Sequence, residues 1–238
     1  MANTFFQFKQ FRIEQDQCAM KVGTDGVLLG LLTDPSASKT ILDIGTGTGL
    51  LALMLAQKSG AQIDAIEIDE KAAIQAKNNF QKSDWKDRLN LFWTSLKDFE
   101  KEKKSINEYD LIICNPPFFK NSLNNPKIER NIARQTDGTF SKELFEFASK
   151  FLCEKGKLSI IIPFANLKEY DDLGKNLGLS VCKQIVIKSF YDSDPIRVIL
   201  LFGKKMEKST KSNFTIYDKN RIYSLQFKTE AKEYFLNF

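Results

Sequence analysis

Between residues 40 and about 202 the chain alternates short apolar runs with helical ones, and that alternation confines it to few architectures. TILDI (40–44), IDAIEI (63–68), LNLFW (89–93), DLIIC (110–114) and residues 157–162, 180–188 and 196–202 have strand length and few polar interruptions. Strands buried on both faces of a parallel sheet read this way. Residues 50–58, 71–81 and 142–151 have helical character, and in the second Ala72, Ala73, Ala76 and Phe80 share one face. The pattern predicts an α/β fold with a doubly wound, seven-stranded, mostly parallel sheet. The last two strands meet across a polar turn at 192–195, so they are expected to form an antiparallel C-terminal hairpin. We expect one domain over 1–238, with a cap segment at 1–39, the α/β core at 40–203 and an extension at 204–238. Within the extension, residues 204–212 (KKMEKSTKS) read as a mobile surface linker. Ahead of the core, Thr24 or Asp25 is expected to cap a helix running through Leu32.

Two strand ends carry chemistry. After TILDI comes Gly45-Thr46-Gly47-Thr48-Gly49, then a helix. Glycines in a strand-to-helix turn let backbone approach a nucleotide where side chains would clash. The dinucleotide fingerprint G-x-G-x-x-G needs its third glycine at position 50, which is Leu. The pattern present is D-x-G-x-G-x-G, from Asp43 to Gly49. Glu67, closing the next strand, suits a two-oxygen grip on ribose hydroxyls. The second strand end is Asn115-Pro116-Pro117-Phe118-Phe119, directly after DLIIC. Proline cannot continue a central strand, because it donates no backbone hydrogen bond. An amide on a stiff loop walled by aromatic rings suits a flat amine: the Asn115 oxygen and a backbone carbonyl accept from NH2 while a ring stacks on the plane.

Composition narrows the class. The chain has no histidine, which removes Ser-His-Asp and Cys-His nucleophiles and the HExxH zinc site. No metal is expected. Four cysteines lie scattered without C-x-x-C spacing and are expected to be free thiols. No apolar run reaches about eighteen residues, and the N-terminus MANTFFQFKQ lacks the features of a secretory signal. A cytoplasmic protein without a membrane span is therefore expected, and a monomer. The net charge of +5 is uneven: residues 1–100 sum to −2 and residues 101–238 to +7. A polyanion could dock beyond the NPPFF strand, although a lysine-rich solvated surface has the same composition. The stretch between Phe119 and Phe140 reads as a long binding loop with Lys120, Lys127, Arg130 and Arg134.

The D-x-G-x-G-x-G loop resembles that of the Rossmann-like class I S-adenosylmethionine (SAM) methyltransferases. The resemblance implies that Asp43 holds the amino-acid end of the cofactor and that Gly45, Gly47 and Gly49 accommodate its ribose and methionine. The family usually places an acid after the third strand for the adenine amine. Here that position is Ser95, with Asp98 three residues later, and either can serve.

Residues 6–25 (FQFKQFRIEQDQCAMKVGTD), Gly26-Val27-Leu28-Leu29-Gly30, NPPFF, Arg130-x-x-Ala133-Arg134 and the YFLNF ending together closely resemble the bacterial tRNA1(Val) adenine-37 N6-methyltransferase family over essentially the full length. That resemblance implies methyl transfer from SAM to a splayed-out anticodon-loop adenine. Phe118 would stack on the base, with Asn115 and the Pro116 carbonyl accepting from its amine. Lys21 and Thr24 would lie near SAM, and Phe6, Phe8 and Phe11 would cover it, unless these rings pack on the sheet. Lys9, Lys120, Arg130, Arg134 and Arg197 are the candidate RNA contacts. Ribosomal RNA guanine-N2, DNA adenine-N6 and protein glutamine-N5 methylation use related Asn-Pro-Pro sites. An RNA-binding protein that kept the fold without catalysis is the non-enzymatic alternative.

Overall fold

A parallel strand must bury side chains on both faces, and the apolar runs do so residue by residue. Ile41, Leu111 and Ile113 point into one hydrophobic cluster, while Leu42, Ile44, Ile112 and Cys114 point into another. A computed structural model of the chain describes residues 3–18, 20–102, 109–116, 139–205 and 208–237. Its strands β3 (Thr40–Ile44), β4 (Gln62–Glu67), β5 (Leu89–Trp93) and β6 (Tyr109–Cys114) pair in parallel. β7 (Leu152–Pro163) lies parallel beside β6. β9 (Pro195–Gly203) inserts antiparallel between β7 and β8 (Ser180–Lys188), which is the expected hairpin.

The main sheet has eight strands rather than seven, in the order β10-β8-β9-β7-β6-β3-β4-β5. The additional strand, β10 (Thr210–Thr215), starts within the stretch read as linker and pairs in parallel with β8. Phe214 is its one buried residue, so it shows almost no apolar pattern; main-chain bonds to the open edge of β8 hold it instead.

Helices cover both faces. α1 (Thr24–Leu32), α2 (Leu50–Lys58) and α3 (Glu70–Gln81) pack on one. α4 (Leu96–Glu102), α5 (Thr139–Phe151) and α6 (Leu167–Asn176) pack on the other. α1 forms where expected, but Gly23 is its N-cap and no side chain caps it. Thr24 and Asp25 already lie within the helix, so neither is placed to accept from its first amides. No helix among the described residues is long and apolar enough to cross a membrane.

The aromatic N-terminal segment belongs to the core. β1 (Phe5–Gln7) and β2 (Arg12–Glu14) form a small hairpin around Phe8 and Phe11, whose buried rings stack at 4.6 Å. Phe8 meets Tyr234 edge-on and Phe6 meets Phe235. Lys9 N donates to the Tyr234 carbonyl at 2.7 Å, and the Lys9 ammonium donates to the Lys232 carbonyl. The extension continues through α7 (Leu225–Ala231), with Phe227 and Ala231 buried in the same cluster. Tyr234 is 1% exposed and its hydroxyl donates to Met54 O of α2 at 2.8 Å. Both ends of the chain are thereby fastened to the helix behind the glycine loop.

Tyr234→Ala should therefore cost about 3–5 kcal/mol and lower the melting temperature by on the order of 10 °C. Urea unfolding measures the first and calorimetry the second; a loss below about 1 kcal/mol would make the extension a mere appendage.

Candidate active site

Ile44 of β3 and Cys114 of β6 are register partners, so the glycine loop and the Asn115 loop leave adjacent strands at one level. Strands lie about 4.8 Å apart, which sets the spacing of the two loops. β4 pairs with the other side of β3 and ends at Glu67. Asp43, Gly45, Gly47, Glu67 and Asn115 thus gather at the carboxyl edge of the sheet, where ligands bind in open α/β folds.

Gly45, Gly47 and Gly49 all have positive φ, at 71°, 57° and 85°. For Gly45 and Gly47 a Cβ would meet nothing within 4 Å, so their open side is available to a ligand. Gly49 has another reason to be glycine: a Cβ there would stand 2.5 Å from the Phe80 ring of α3.

Asp43 is fully buried. Its Oδ2 accepts from Thr46 Oγ1 at 2.6 Å and from Ala52 N at 3.2 Å. Its Oδ1 has no partner among the described residues. Burial away from water raises its pKa to about 7, against two hydrogen bonds that lower it; the Glu67 charge adds to the rise. An orphaned carboxylate oxygen beside two side-chain-free glycines fits a ligand that brings a cation, as the ammonium of SAM does.

Glu67 is nearly buried and held by backbone amides. Its Oε2 accepts from Gly47 N at 2.8 Å, and its Oε1 from Ile68 N and Asp69 N, both at 2.9 Å. A carboxylate offers about four lone-pair positions, so one remains on Oε2. One ribose hydroxyl is accommodated as the side chain stands; the expected second contact requires the Gly47 amide to yield.

Ser95 caps α4. Its Oγ accepts from Asp98 N at 3.1 Å and donates to Asp98 Oδ2 at 2.7 Å, while Lys101 takes Asp98 Oδ1 and holds that carboxyl below its ordinary value. Beside this pair lies apolar surface that sequence reading passed over. Ile68 is 64% and Trp93 61% exposed, and Trp93 Nε1 donates to Ile68 O at 3.2 Å. The signal of this surface in the sequence is an apolar residue one place past Glu67.

Asn115 is half-buried and Pro116 buried at the end of β6. Pro117, Phe118, Lys120, Arg130 and Arg134, with the loop that carries them, lie outside the described residues. Lys21 and Thr24 are exposed just before and at the start of α1, and Lys21 Nζ donates to Asn3 O at 3.3 Å. Arg197 is turned toward Asp25, with Nε at 2.9 Å from Oδ2.

Two buried polar residues of α3 also serve the site. Asn79 Nδ2 donates to Thr48 O at 2.9 Å and to Glu14 O at 3.0 Å, and Gln75 Oε1 accepts from Gln17 N at 2.9 Å. They tie the N-terminal segment to the glycine loop. Polar residues four apart on an otherwise apolar helical face were the sequence signal.

In a second cleft, the Lys58 charge has a structural part. A cavity of about 530 Å³ opens at the opposite edge of the sheet beside Thr33, Lys58, Lys183 and Glu230. There the Lys58 ammonium caps α1 by donating to Gly30 O and Thr33 O at 3.0 and 3.4 Å.

The methyltransferase small domain family matches residues 19–179. The tRNA1(Val) (adenine(37)-N6)-methyltransferase of Parabacteroides distasonis is 39% identical over 99% of both chains. The enzyme of the same description from Trichodesmium erythraeum is 40% identical over 100% of both. A methyltransferase from Pyrococcus furiosus shares the fold, with a TM-score of 0.56 at 21% identity over 79% of this chain and 90% of that one. The chain belongs to the methyltransferase small domain family and, within it, to the tRNA1(Val) (adenine(37)-N6)-methyltransferases.

Proposed function

We propose that the protein transfers a methyl group from SAM to N6 of adenine-37 in the anticodon loop of tRNA1(Val). The observation that carries this reading is the register of β3 and β6, which sets an amide acceptor at Asn115 one strand away from the orphaned oxygen of Asp43. When bound, SAM would supply a methyl on a cationic sulfur; as the adenine nitrogen bonds that methyl the sulfur–methyl bond would break, leaving the neutral thioether of S-adenosylhomocysteine, and the amine's surplus proton would pass to water.

The chain's own residues have three tasks. Asp43 pairs with the cofactor's ammonium, Glu67 takes a ribose hydroxyl, and Gly45 and Gly47 leave room for the backbone to close on it. Asn115 Oδ1 and the Pro116 carbonyl accept from the adenine NH2. Those bonds draw the amine toward tetrahedral geometry and free a lone pair otherwise delocalised into the ring. Phe118 stacks on the base, and Lys120, Arg130 and Arg134 meet the RNA backbone. Most of the acceleration comes from holding the two reactants in line. A tRNA substrate places the protein in the cytoplasm.

Labelled methyl should pass from SAM to unmodified tRNA1(Val) and not to the transcript with guanine at position 37. No incorporation into either, with SAM binding intact, would move the substrate to ribosomal RNA, DNA or a protein glutamine.

Asn115→Ala should lower kcat by about 10²-fold or more, the scale seen when one preorganised polar contact is removed. Calorimetric SAM affinity should change little. Near-normal turnover would remove Asn115 from the reaction.

Asp43 must be ionised to hold a cation, and its pKa is raised to about 7. SAM affinity should therefore strengthen from pH 6 to 7.5, and Asp43→Asn should bind weakly with no such slope. Stability runs the other way. The folded state keeps this proton above the ordinary value of 3.8, so the group's contribution falls as pH rises from about 4 to 7. At pH 8 Asp43→Asn should melt a few degrees above the wild type, a gain that vanishes near pH 4. Equal melting temperatures at pH 8 would contradict the raised pKa.

A further inference from the structure

The Asp25–Arg197 ion pair stands beside the site without a part in the chemistry above. Asp25 is the second residue of α1, and Arg197 lies near the start of β9, opposite Pro163 at the end of β7. Arg197 Nε donates to both carboxylate oxygens, at 3.1 and 2.9 Å, and each side chain is about two-thirds covered (32% and 29% exposed).

The next residue, Gly26, is buried against the reaction centre. A Cβ there would lie 3.8 Å from Asn115 Nδ2 and 3.1 Å from Leu50 Cδ2. The first turn of α1 therefore lies close to both Asn115 and the first residue of the helix behind the glycine loop. Among the described residues nothing hydrogen-bonds the Asn115 amide. The position of the side chain then depends on the groups packed beside it, and the outer torsion of Asn is broad and roughly two-fold. A half-turn about it would present NH2, a donor, to the substrate amine in place of the oxygen.

The far end of α1 is well anchored. Thr33 Oγ1 and Ser159 Oγ are 2.8 Å apart, and Lys58 caps the last carbonyls. The near end has no side-chain cap, since its N-cap is Gly23. Among the described residues, the side-chain contact made by its first turn is the ion pair, while Val22 N just ahead of the helix donates to Gln15 Oε1 at 2.8 Å.

We propose that Asp25 and Arg197 are positioning residues: their ion pair, one Nε–H shared between both carboxylate oxygens, clamps the first turn of α1 so that Gly26 keeps the Asn115 side chain within reach of the amine. This rests on the adenine-amine reading of the site, and it gives Arg197 a role other than the RNA contact expected from sequence. An ion pair this exposed contributes little to stability. A misplacement of about 1 Å at a reacting centre costs about 10²-fold in rate. The pair should therefore show itself in kcat rather than in melting temperature.

The test compares Arg197→Gln, Asp25→Asn and the exchange Asp25→Arg with Arg197→Asp, using full-length protein, SAM and tRNA1(Val). Each single variant should lose about tenfold or more in kcat, with KM for tRNA and SAM affinity within twofold and the melting temperature little changed. The exchange should recover much of that kcat. The side-chain NH2 resonances of Asn115, assigned by their loss in Asn115→Ala, should shift in both single variants without any substrate present. If Arg197→Gln instead raises KM for tRNA while Asp25→Asn is silent, Arg197 is an RNA contact and the clamp is wrong. Unshifted Asn115 resonances with normal kcat would also overturn it. Should the exchanged protein fail to fold, the single variants and the resonances decide alone. Failure of wild-type protein to methylate tRNA1(Val) would sink the substrate reading, and the Asn115 resonances would then decide for or against the clamp.

Discussion

The pairing of β3 with β6 is the constraint on which the site depends. Partnering Ile44 with Cys114 brings a glycine loop and an Asn-Pro loop to the same height on neighbouring strands. A one-residue slip would turn every side chain of β6 to the opposite face, sending Ile112 and Cys114 out of one core cluster and Leu111 and Ile113 out of the other. Burial on both faces thus holds the register firmly, and the spacing of the two loops is a by-product of core packing. The same burial leaves Asp43 without water, with its pKa raised to about 7. At about 1.4 kcal/mol per pKa unit, the ionised form costs the fold a few kcal/mol. Stability given up at a binding residue is the usual trade between fold and function.

Around that centre, segments distant in sequence enclose the site. Asn79 joins the N-terminal segment to the glycine loop through the Glu14 and Thr48 carbonyls. Tyr234, from the other end of the chain, fastens to α2 at Met54. α1 meets Asn115 through a glycine and α2 through another, since a Cβ on Gly30 would strike Met54 Sδ at 2.5 Å. Close helix contacts of this kind leave little slack, and a site assembled from several segments gains its rigidity from them.

Much of this was legible in advance because its signals are local. A strand ending in Asn-Pro-Pro, another ending in Asp-x-Gly-x-Gly-x-Gly and a third ending in an acid announce themselves within a few residues, and a parallel α/β sheet gathers such ends at one edge. What escaped depends on partners far along the chain. β10 has one buried side chain and is recruited by a strand edge. The N-terminal phenylalanines read either as a cover for the cofactor or as packing on the sheet, and the choice waits on Tyr234 and Phe235, which arrive to bury them. Gly49 reads as a nucleotide glycine and also lies against Phe80, and Ser95, which with Asp98 reads as a candidate cofactor contact, also caps a helix.

By itself, then, the sequence determined the α/β alternation, which candidate residues stand at the strand ends and the family to which the chain belongs. Those follow from periodicity and from backbone-limited residues, glycine and proline, whose effects act over a few positions. Tertiary structure alone decided that Asp43 keeps an oxygen without a partner among the described residues, that Glu67 holds one acceptor free, that Gly26 stands close to Asn115, and that Asp25, beside Gly26 in the chain, pairs with Arg197. Each is a relation between residues brought together by packing over tens to more than a hundred positions, and no local rule of residue type records it.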